Sequence, residues 1–137
     1  MNITLKKTRG ILIDPHARTV TVITIEGRTL QGLYAAIGCT TVDVLRLGEH
    51  NGVEQDLWID DEGAMSHKTS QAFFCLAGCG SFLAGRAVLL GCDLSGDSVS
   101  TDVFISTVED RLCWKEPHEV RFPAPVFGSG DLKANRA

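Results

Sequence analysis

Three consecutive carboxylates, Asp60, Asp61 and Glu62, follow the apolar residues 57–59 and are the first candidates for chemistry. On a strand, Asp60 and Glu62 would share a face while Asp61 points away, which suits a pair of metal ligands or an acid and a base. A magnesium or calcium site needs several converging oxygen ligands, and no second acidic cluster lies at a known spacing. We therefore predict no metal here and interpret Asp60-Asp61-Glu62-Gly63 as a turn, in which an Asp, with Asp61 favoured, bonds its own backbone and Gly63 takes a left-handed conformation.

A glycine-rich segment offers a second candidate site. Gly78 and Gly80, in "GCGSFLAG", could let the backbone approach a phosphate, with Arg86 nearby as a cation. A dinucleotide fingerprint needs a preceding strand, a following helix and three correctly spaced glycines, and that pattern is not clear here. Nucleotide binding at Gly78, Gly80 and Arg86 is therefore an alternative hypothesis.

The nucleophiles and thiols do not form a recognisable catalytic motif. The chain contains no G-x-S-x-G elbow, and its five cysteines are an odd number. Cys75 and Cys79 lie four residues apart, but the second half of a zinc site is missing, so we expect them to be small buried residues. We predict no enzymatic activity and no cofactor, with a metal-dependent hydrolase using Asp60 and Glu62 as the remaining enzymatic alternative.

Charge and composition limit the partners. The 137 residues carry a formal charge of −4, and the dense basic cluster Lys6-Lys7-Thr8-Arg9 stands alone, so general nucleic-acid binding is disfavoured. The chain shows neither a signal peptide nor an apolar run long enough for a membrane span, so we expect a cytoplasmic protein with free thiols. The acidic turn beside Trp58 suits a partner with a basic surface, in which Trp58 could anchor an interface or pack as ordinary core.

Several segments have the β-branched and apolar composition of strands. They are residues 10–14, 19–26, 41–47, 54–60 and 82–92. The first pair is separated by the turn sequence "DPHAR", and residues 48–52, with an Asn-Gly step, separate the next pair. In the second strand Val20 and Val22 are followed by Ile23 and Ile25, so a bulge or burial of both faces is expected.

Helical periodicity is strongest after the second strand. A stripe at i, i+3, i+4 and i+7 predicts a helix that ends at Gly38; its members are Leu30, Leu33, Tyr34 and Ile37. Further helices are predicted at residues 71–76 and 101–112, and an edge segment with two prolines at 119–127. We predict one α+β domain over residues 1–127, a mostly antiparallel sheet with two or three helices packed on one side, and a flexible tail over 128–137.

These elements, in this order, resemble a known family. The segments "GILIDP", "LQGLYAAIGCTTVDV", "DLWIDDEGAM" and "LAGRAVLLGCD" are similar to the proteins grouped as domain of unknown function 3846, over about residues 10–95. The D-E-G turn at Asp61-Glu62-Gly63 is among the most specific pieces. One departure is Cys39, which stands where a second glycine commonly follows Gly38.

The resemblance implies a product of phages, plasmids or other mobile elements, with no assigned activity and no catalytic residues to transfer. We therefore expect a non-enzymatic accessory protein that binds and inhibits a host protein or complex, with an anti-CRISPR or other anti-defence role as the specific hypothesis. Its binding residues would be Trp58, Asp60, Asp61 and Glu62. The sequence leaves its oligomeric state open.

Overall fold

The computed structural model describes residues 7–27, 29–63, 71–77 and 82–116. Nine strands and two helices lie in these ranges. In chain order they are β1 (Lys7–Asp14), β2 (Thr19–Glu26), α1 (Thr29–Ile37), β3 (Val42–His50), β4 (Val53–Asp60), β5 (Phe73–Leu76), β6 (Phe82–Ala84), β7 (Ala87–Cys92), β8 (Ser98–Val99), α2 (Ile105–Asp110) and β9 (Leu112–Lys115). The predicted edge segment at 119–127 and the predicted tail at 128–137 lie outside the described residues.

The strands form two antiparallel sheets. The larger has the order β2-β1-β7-β4-β3, with β8 added beside β7, and the smaller has the order β6-β5-β9. Every pairing among these nine strands is antiparallel. The prediction of a small, mostly antiparallel α+β domain is confirmed. Within the described ranges, neither helix has the length and apolar content that crossing a membrane requires.

The large sheet is buried on both faces, because alternate residues of its central strand enter different cores. Leu89 of β7 packs with Phe74 of the small sheet and Val108 of α2, whereas Val88 and Leu90 pack against Leu33 of α1. Side chains alternate along a strand, so the two clusters lie on opposite faces. The expectation that the helices pack on one side is therefore wrong: α1 covers one face, and α2 with the small sheet covers the other.

This two-sided burial also explains the change of phase in β2. The register from Lys7↔Glu26 to Asp14↔Thr19 runs without a shift, so β2 has no bulge in this pairing. Val20 packs into the core beneath the small sheet, and Ile25 packs into the core beneath α1. Of the two predicted explanations, burial of both faces is the correct one.

Three segments differ from the sequence-based expectations. The helix predicted at 101–112 is shorter than expected, because α2 covers only Ile105–Asp110 and Leu112 already belongs to β9. Residues 73–76, predicted as helical, form β5, because Phe74 and Leu76 point into the core while β5 pairs with strands on both sides. The apolar run at 82–92 is divided between β6 and β7, which belong to different sheets. Gly85 lies at the break with a φ of +80°, a conformation that other residues rarely adopt.

The β3–β4 hairpin is tighter than predicted. His50 pairs with Val53, so the loop contains two residues, Asn51 and Gly52, with φ of 54° and 82°. Positive φ at both positions is typical of a type I′ turn, for which Asn-Gly is a preferred sequence. The pairing of β3 with β4 shifts register between Arg46 and Gly48.

Candidate functional site

A polar cleft of about 430 Å³ opens at the end of the large sheet, beside the C-terminal end of α1. It is lined by side chains and backbone from five parts of the chain: the β1–β2 turn, the end of α1, the end of β4, the segment before β5 and the β6–β7 connection. The lining residues are His16, Ile37, Gly38, Asp60, Gln71, Gly85 and Arg86. The cleft thus brings together Asp60 and Arg86, which were predicted for different sites.

Strand register explains this convergence. In the large sheet Ala87 of β7 lies opposite both Ile13 of β1 and Ile59 of β4. Continuing each antiparallel register by one residue sets Arg86 between Asp14 and Asp60. These positions alternate with residues that face away from α1, so the three side chains share the α1 face of the sheet.

Arg86 is held in place by Asp14. Its Nε donates to Asp14 Oδ2 at 3.2 Å, and the Asp14 carboxylate is largely buried, with 15% of the side chain exposed. The other carboxylate oxygen, Oδ1, accepts the backbone N–H groups of His16 and Ala17, at 3.0 and 3.3 Å. One carboxylate therefore shapes the β1–β2 turn and orients the guanidinium.

The C-terminal end of α1 forms another wall of the cleft. The Gly38 N–H donates to the Tyr34 carbonyl at 2.8 Å, and Gly38 has a φ of +82°, so the predicted helix end is confirmed. A Cβ built on Gly38 would lie 3.4 Å from Nη1 of Arg86, so the guanidinium approaches the helix end closely. The C-terminal end of a helix carries partial negative charge, which favours a cation there.

Asp60, rather than Asp61, makes the turn hydrogen bond at the end of β4. Its Oδ1 accepts the Glu62 N–H at 2.9 Å, while the Asp61 N–H donates to the Thr41 carbonyl at 3.2 Å. The turn itself is confirmed, but the predicted left-handed Gly63 is wrong, because Gly63 is not among the glycines with positive φ. Asp61 and Glu62 are exposed, and Asp60 is half-buried.

Gly63 is required for a different reason, which is close packing. A Cβ at this position would lie 2.8 Å from the Ala84 carbonyl oxygen. The Gly63 carbonyl in turn accepts a hydrogen bond from Gln71 Nε2 at 3.1 Å, so Gln71 is fixed at the cleft wall. The acidic turn is therefore tied to the segment before β5 and to the end of β6.

Cys39 lies next to the acidic wall. Partial burial of its thiol raises the Cys39 pKa, and the negative charge of Asp60 raises it further, while a backbone hydrogen bond at Thr41 lowers it. The thiol is therefore held in its protonated form, which is the less nucleophilic one. Cys39 does not line the cleft, but its pKa depends on the charge of Asp60.

The other predicted site residues lie in different surroundings. Trp58 is on the α1 face of β4, where its ring packs against the core cluster of α1. Its indole N–H is buried and has no acceptor among the described residues. Gly78 and Gly80 lie outside the described residues, so the predicted glycine-rich site stays a prediction.

Sequence reasoning did not assign Asp14, His16 or Gln71 to a site with Asp60. Asp14 was interpreted as the end of the first predicted strand and the start of the turn after it, and its pairing with Arg86 joins residues that are 72 positions apart. A possible signal was that Asp14 ends a strand and Arg86 precedes one. Using that signal requires the strand order, which one sequence does not contain.

The cleft combines acceptors and donors without a metal-binding arrangement. Across the described ranges, no group of three or more His, Cys, Asp or Glu side chains is placed to hold a metal ion. Asp60 and Glu62, the pair proposed for a hydrolase, meet through a backbone N–H and not through two carboxylates around a common point. The hydrolase alternative stays a prediction without support from this geometry.

Carboxylates outnumber cations around the cleft. Asp14 offsets the charge of Arg86, and the partial negative charge of the α1 end adds to it, so Asp60 is not needed to neutralise Arg86. In the described part of the chain Arg86 forms its ion pair with Asp14 and none with Asp60. The cleft therefore favours a ligand group that donates hydrogen bonds or carries positive charge.

Comparison with known proteins agrees with the resemblance seen in the sequence. The family model of the domain of unknown function DUF3846 matches residues 8–113, which reaches beyond both ends of the segments that carried the resemblance. No curated protein and no solved structure matches the chain. Since the family model covers well over half of the 137 residues, the chain belongs to the DUF3846 family, a domain of unknown function.

Proposed function

We propose that this chain is a non-enzymatic accessory protein of a mobile element that binds a host protein in the cytoplasm and inhibits it. The observation that carries the proposal is a run of three carboxylates at the edge of one cleft: the half-buried Asp60 lines it, and the exposed Asp61 and Glu62 follow Asp60 in the chain. The specific target that we propose is a defence complex, as for an anti-CRISPR protein. The mobile-element origin rests on the family resemblance.

The shape of this region suits a basic side chain from the partner. Asp60 Oδ1 is used in the turn, which leaves Oδ2 to accept a hydrogen bond from an arginine or lysine that enters the cleft. Asp61 and Glu62 do not line the cleft, but they are exposed and follow Asp60 directly in the chain, so they would contact further basic groups of the partner next to it. A cleft of about 430 Å³ is wide enough for one long side chain. This arrangement supports recognition of a basic protein surface, of the kind that otherwise holds nucleic acid.

The net charge acts in the same direction. The formal charge of −4 attracts a basic partner at long range, and such steering weakens as salt is added. Exposed charge pairs contribute about 0.2–1 kcal/mol each, so loss of Asp61 and Glu62 is expected to weaken binding roughly 2- to 30-fold. Removing these two charges should also reduce the salt dependence of the association rate.

A paired-variant capture experiment tests the proposal. The double variant Asp61→Asn, Glu62→Gln removes the two exposed carboxylates that follow Asp60 in the chain. The variant Glu109→Gln, Asp110→Asn removes the same two charges from adjacent exposed residues of α2. A partner identified by capture from host lysate should bind the wild-type protein and the α2 variant equally, and should bind the acidic-turn variant more weakly.

The outcomes separate local recognition from general acidity. An equal loss of partner binding in both variants would show that net charge alone drives capture. Full binding by both variants would exclude the acidic turn from the interface. Inhibition of the captured partner's activity must follow the same order as binding. If binding follows the expected order but the partner keeps full activity, the protein is a binder and the inhibitory part of the proposal is wrong.

Small-ligand binding is a second candidate, favoured by the presence of donors and acceptors on opposite walls of one concave site. The terminal nitrogens of Arg86 have no acceptor among the described residues, and Asp60 Oδ2 is free of the turn contact. A nucleobase edge that accepts from the first and donates to the second fits this pattern, as guanine does. The phosphate group of a nucleotide would fit beside Arg86 less well than a base does, because Asp14 already balances the charge of Arg86.

Calorimetry distinguishes this candidate. Guanosine should release heat on binding to the wild-type protein, and Asp60→Asn should abolish the signal because the amide places a donor against the donors of the base. Purine riboside is the matched ligand control, since its base keeps the ring-nitrogen acceptors and has no N–H donor for Asp60. An absence of heat with all nucleosides and nucleotides would remove the candidate without affecting the protein-binding proposal.

A further inference from the structure

Two thiols lie opposite each other on neighbouring strands of the small sheet, and neither lines the cleft. Cys75 of β5 lies directly opposite Cys113 of β9 in the antiparallel register. Directly opposed residues point to the same face of a sheet, so both sulfur atoms lie on one side. Their neighbours Phe74 and Trp114 point to the other side, into the main core. Both cysteines are free thiols in this structure.

The hydrogen-bond pattern defines the type of this pair. Continuing the register of β5 and β9 by one residue sets Ala77 opposite Arg111, and the Ala77 N–H donates to the Arg111 carbonyl at 2.9 Å, so these two residues form a hydrogen-bonded pair. Hydrogen-bonded pairs alternate with non-hydrogen-bonded pairs along an antiparallel ladder. Two steps along, Cys75 and Cys113 therefore occupy a hydrogen-bonded pair, with Cα atoms about 5.5 Å apart. That separation is within the range of about 4.4–6.8 Å that a disulfide can span.

The same geometry keeps a bond between them under strain. Cβ atoms of opposed residues in this type of pair lie at about 5 Å, whereas a relaxed disulfide needs about 3.8 Å. Strain favours the reduced state, and strained disulfides have more oxidising potentials than structural ones. A bond here would therefore form under oxidising conditions and be reduced again readily.

We propose that Cys75 and Cys113 form a reversible disulfide when the protein meets a low-molecular-weight disulfide such as oxidised glutathione. Cys113 is the exposed member and Cys75 is half-buried, so Cys113 reacts first. Its thiolate attacks one sulfur of oxidised glutathione, forming a protein–glutathione disulfide and releasing one glutathione. The Cys75 thiolate then attacks Cys113 Sγ and displaces the second glutathione. The two protein thiols lose two protons and two electrons, and one glutathione disulfide becomes two glutathione thiols.

The position of the pair gives the bond a structural consequence. The small sheet covers the main core through Phe74, Leu76 and Trp114, and β9 is its edge strand. A Cys75–Cys113 bond closes a loop that contains β6, β7, β8 and α2. Oxidation would therefore hold β9 onto β5 and resist opening of the sheet over the core. The proposal does not depend on the function assigned to the cleft.

Peptide mapping after equilibration in glutathione buffers tests the inference. Cleavage by trypsin gives a peptide of residues 112–115 with Cys113, and a peptide of residues 69–86 that contains both Cys75 and Cys79. The oxidised protein should yield these two peptides joined, and fragmentation between Cys75 and Cys79 should assign the bond to Cys75. The wild-type protein is sufficient for this assignment.

Variants give an independent assignment. The joined peptides should persist in Cys79→Ser and in the control Cys92→Ser, and should disappear in Cys75→Ser. Amide hydrogen exchange in β5 and β9 should slow on oxidation and return to its original rate after reduction. Linkage through Cys79 would overturn the proposal, and so would accumulation of glutathione adducts without a joined peptide.

Discussion

Gly63 offers the sharpest test of how the cleft is built. In Gly63→Ala the new methyl group would lie 2.8 Å from the Ala84 carbonyl oxygen, which is 0.6 Å closer than the 3.4 Å at which ordinary contacts begin. The obstacle is backbone, so it cannot rotate away as a side chain would. Overpacking of this kind costs about 1–3 kcal/mol, and the lower entropy of the unfolded alanine chain returns about 0.4–1 kcal/mol. The difference between these ranges is about 0–2.6 kcal/mol, and because the carbonyl cannot rotate away we expect a loss above about 1 kcal/mol in the free energy of unfolding.

Substitution by asparagine distinguishes two reasons why a position needs glycine, which are close packing and a positive φ. Gly52 has a φ of +82° and open space around its Cα, so at this control position Asn should be tolerated better than Ala. At Gly63 the order should not hold, because Asn is larger and meets the same carbonyl. Urea unfolding followed by circular dichroism at constant m-value measures all four variants. A clear advantage of Asn over Ala at Gly63 would refute the close-packing explanation.

The remaining predictions concern charge and helix packing. Asp60→Asn should speed alkylation of Cys39 by iodoacetamide at neutral pH, because it removes a negative charge that raises the thiol pKa. An unchanged rate would show that the charge of Asp60 does not affect the Cys39 pKa. The hydrogen bond from Asn51 lowers the Asp102 pKa, so this carboxylate contributes stability that is lost as pH falls through the folded-state pKa. The stability gap between wild type and Asp102→Asn, measured by urea unfolding, should therefore narrow below about pH 4. Gly32→Ala should lower the thermal midpoint although alanine favours helices, because its methyl would lie 2.3 Å from a β2 side chain.

Local patterns predicted the local structure well. The helix ending at Gly38 was visible because its apolar stripe and its terminal glycine are both encoded within ten residues. The Asn51-Gly52 reversal was visible for the same reason, although the strands extend closer to it than expected. Turn chemistry and helical periodicity act over a few residues, and one sequence contains them completely.

Elements whose state depends on distant partners were predicted poorly. Residues 73–76 carry an apolar run that a short helix or a buried strand can both use, and pairing with β6 and β9 decides for the strand. The run at 82–92 resembles one buried strand, but Gly85 turns the chain from one sheet into the other. The role of Gly63 was likewise misassigned, because Ala84 approaches it only in the folded chain.

The sequence by itself determined the family, the antiparallel α+β class and the acidic turn at the end of β4. Only the tertiary structure decided that Asp14, Asp60 and Arg86 share one cleft, and that Cys75 faces Cys113. The physical reason is that both groupings arise from strand register between segments distant in the chain. Register is fixed by burial of whole faces on both sides of the sheet, a property of the assembled core that short stretches of sequence do not carry.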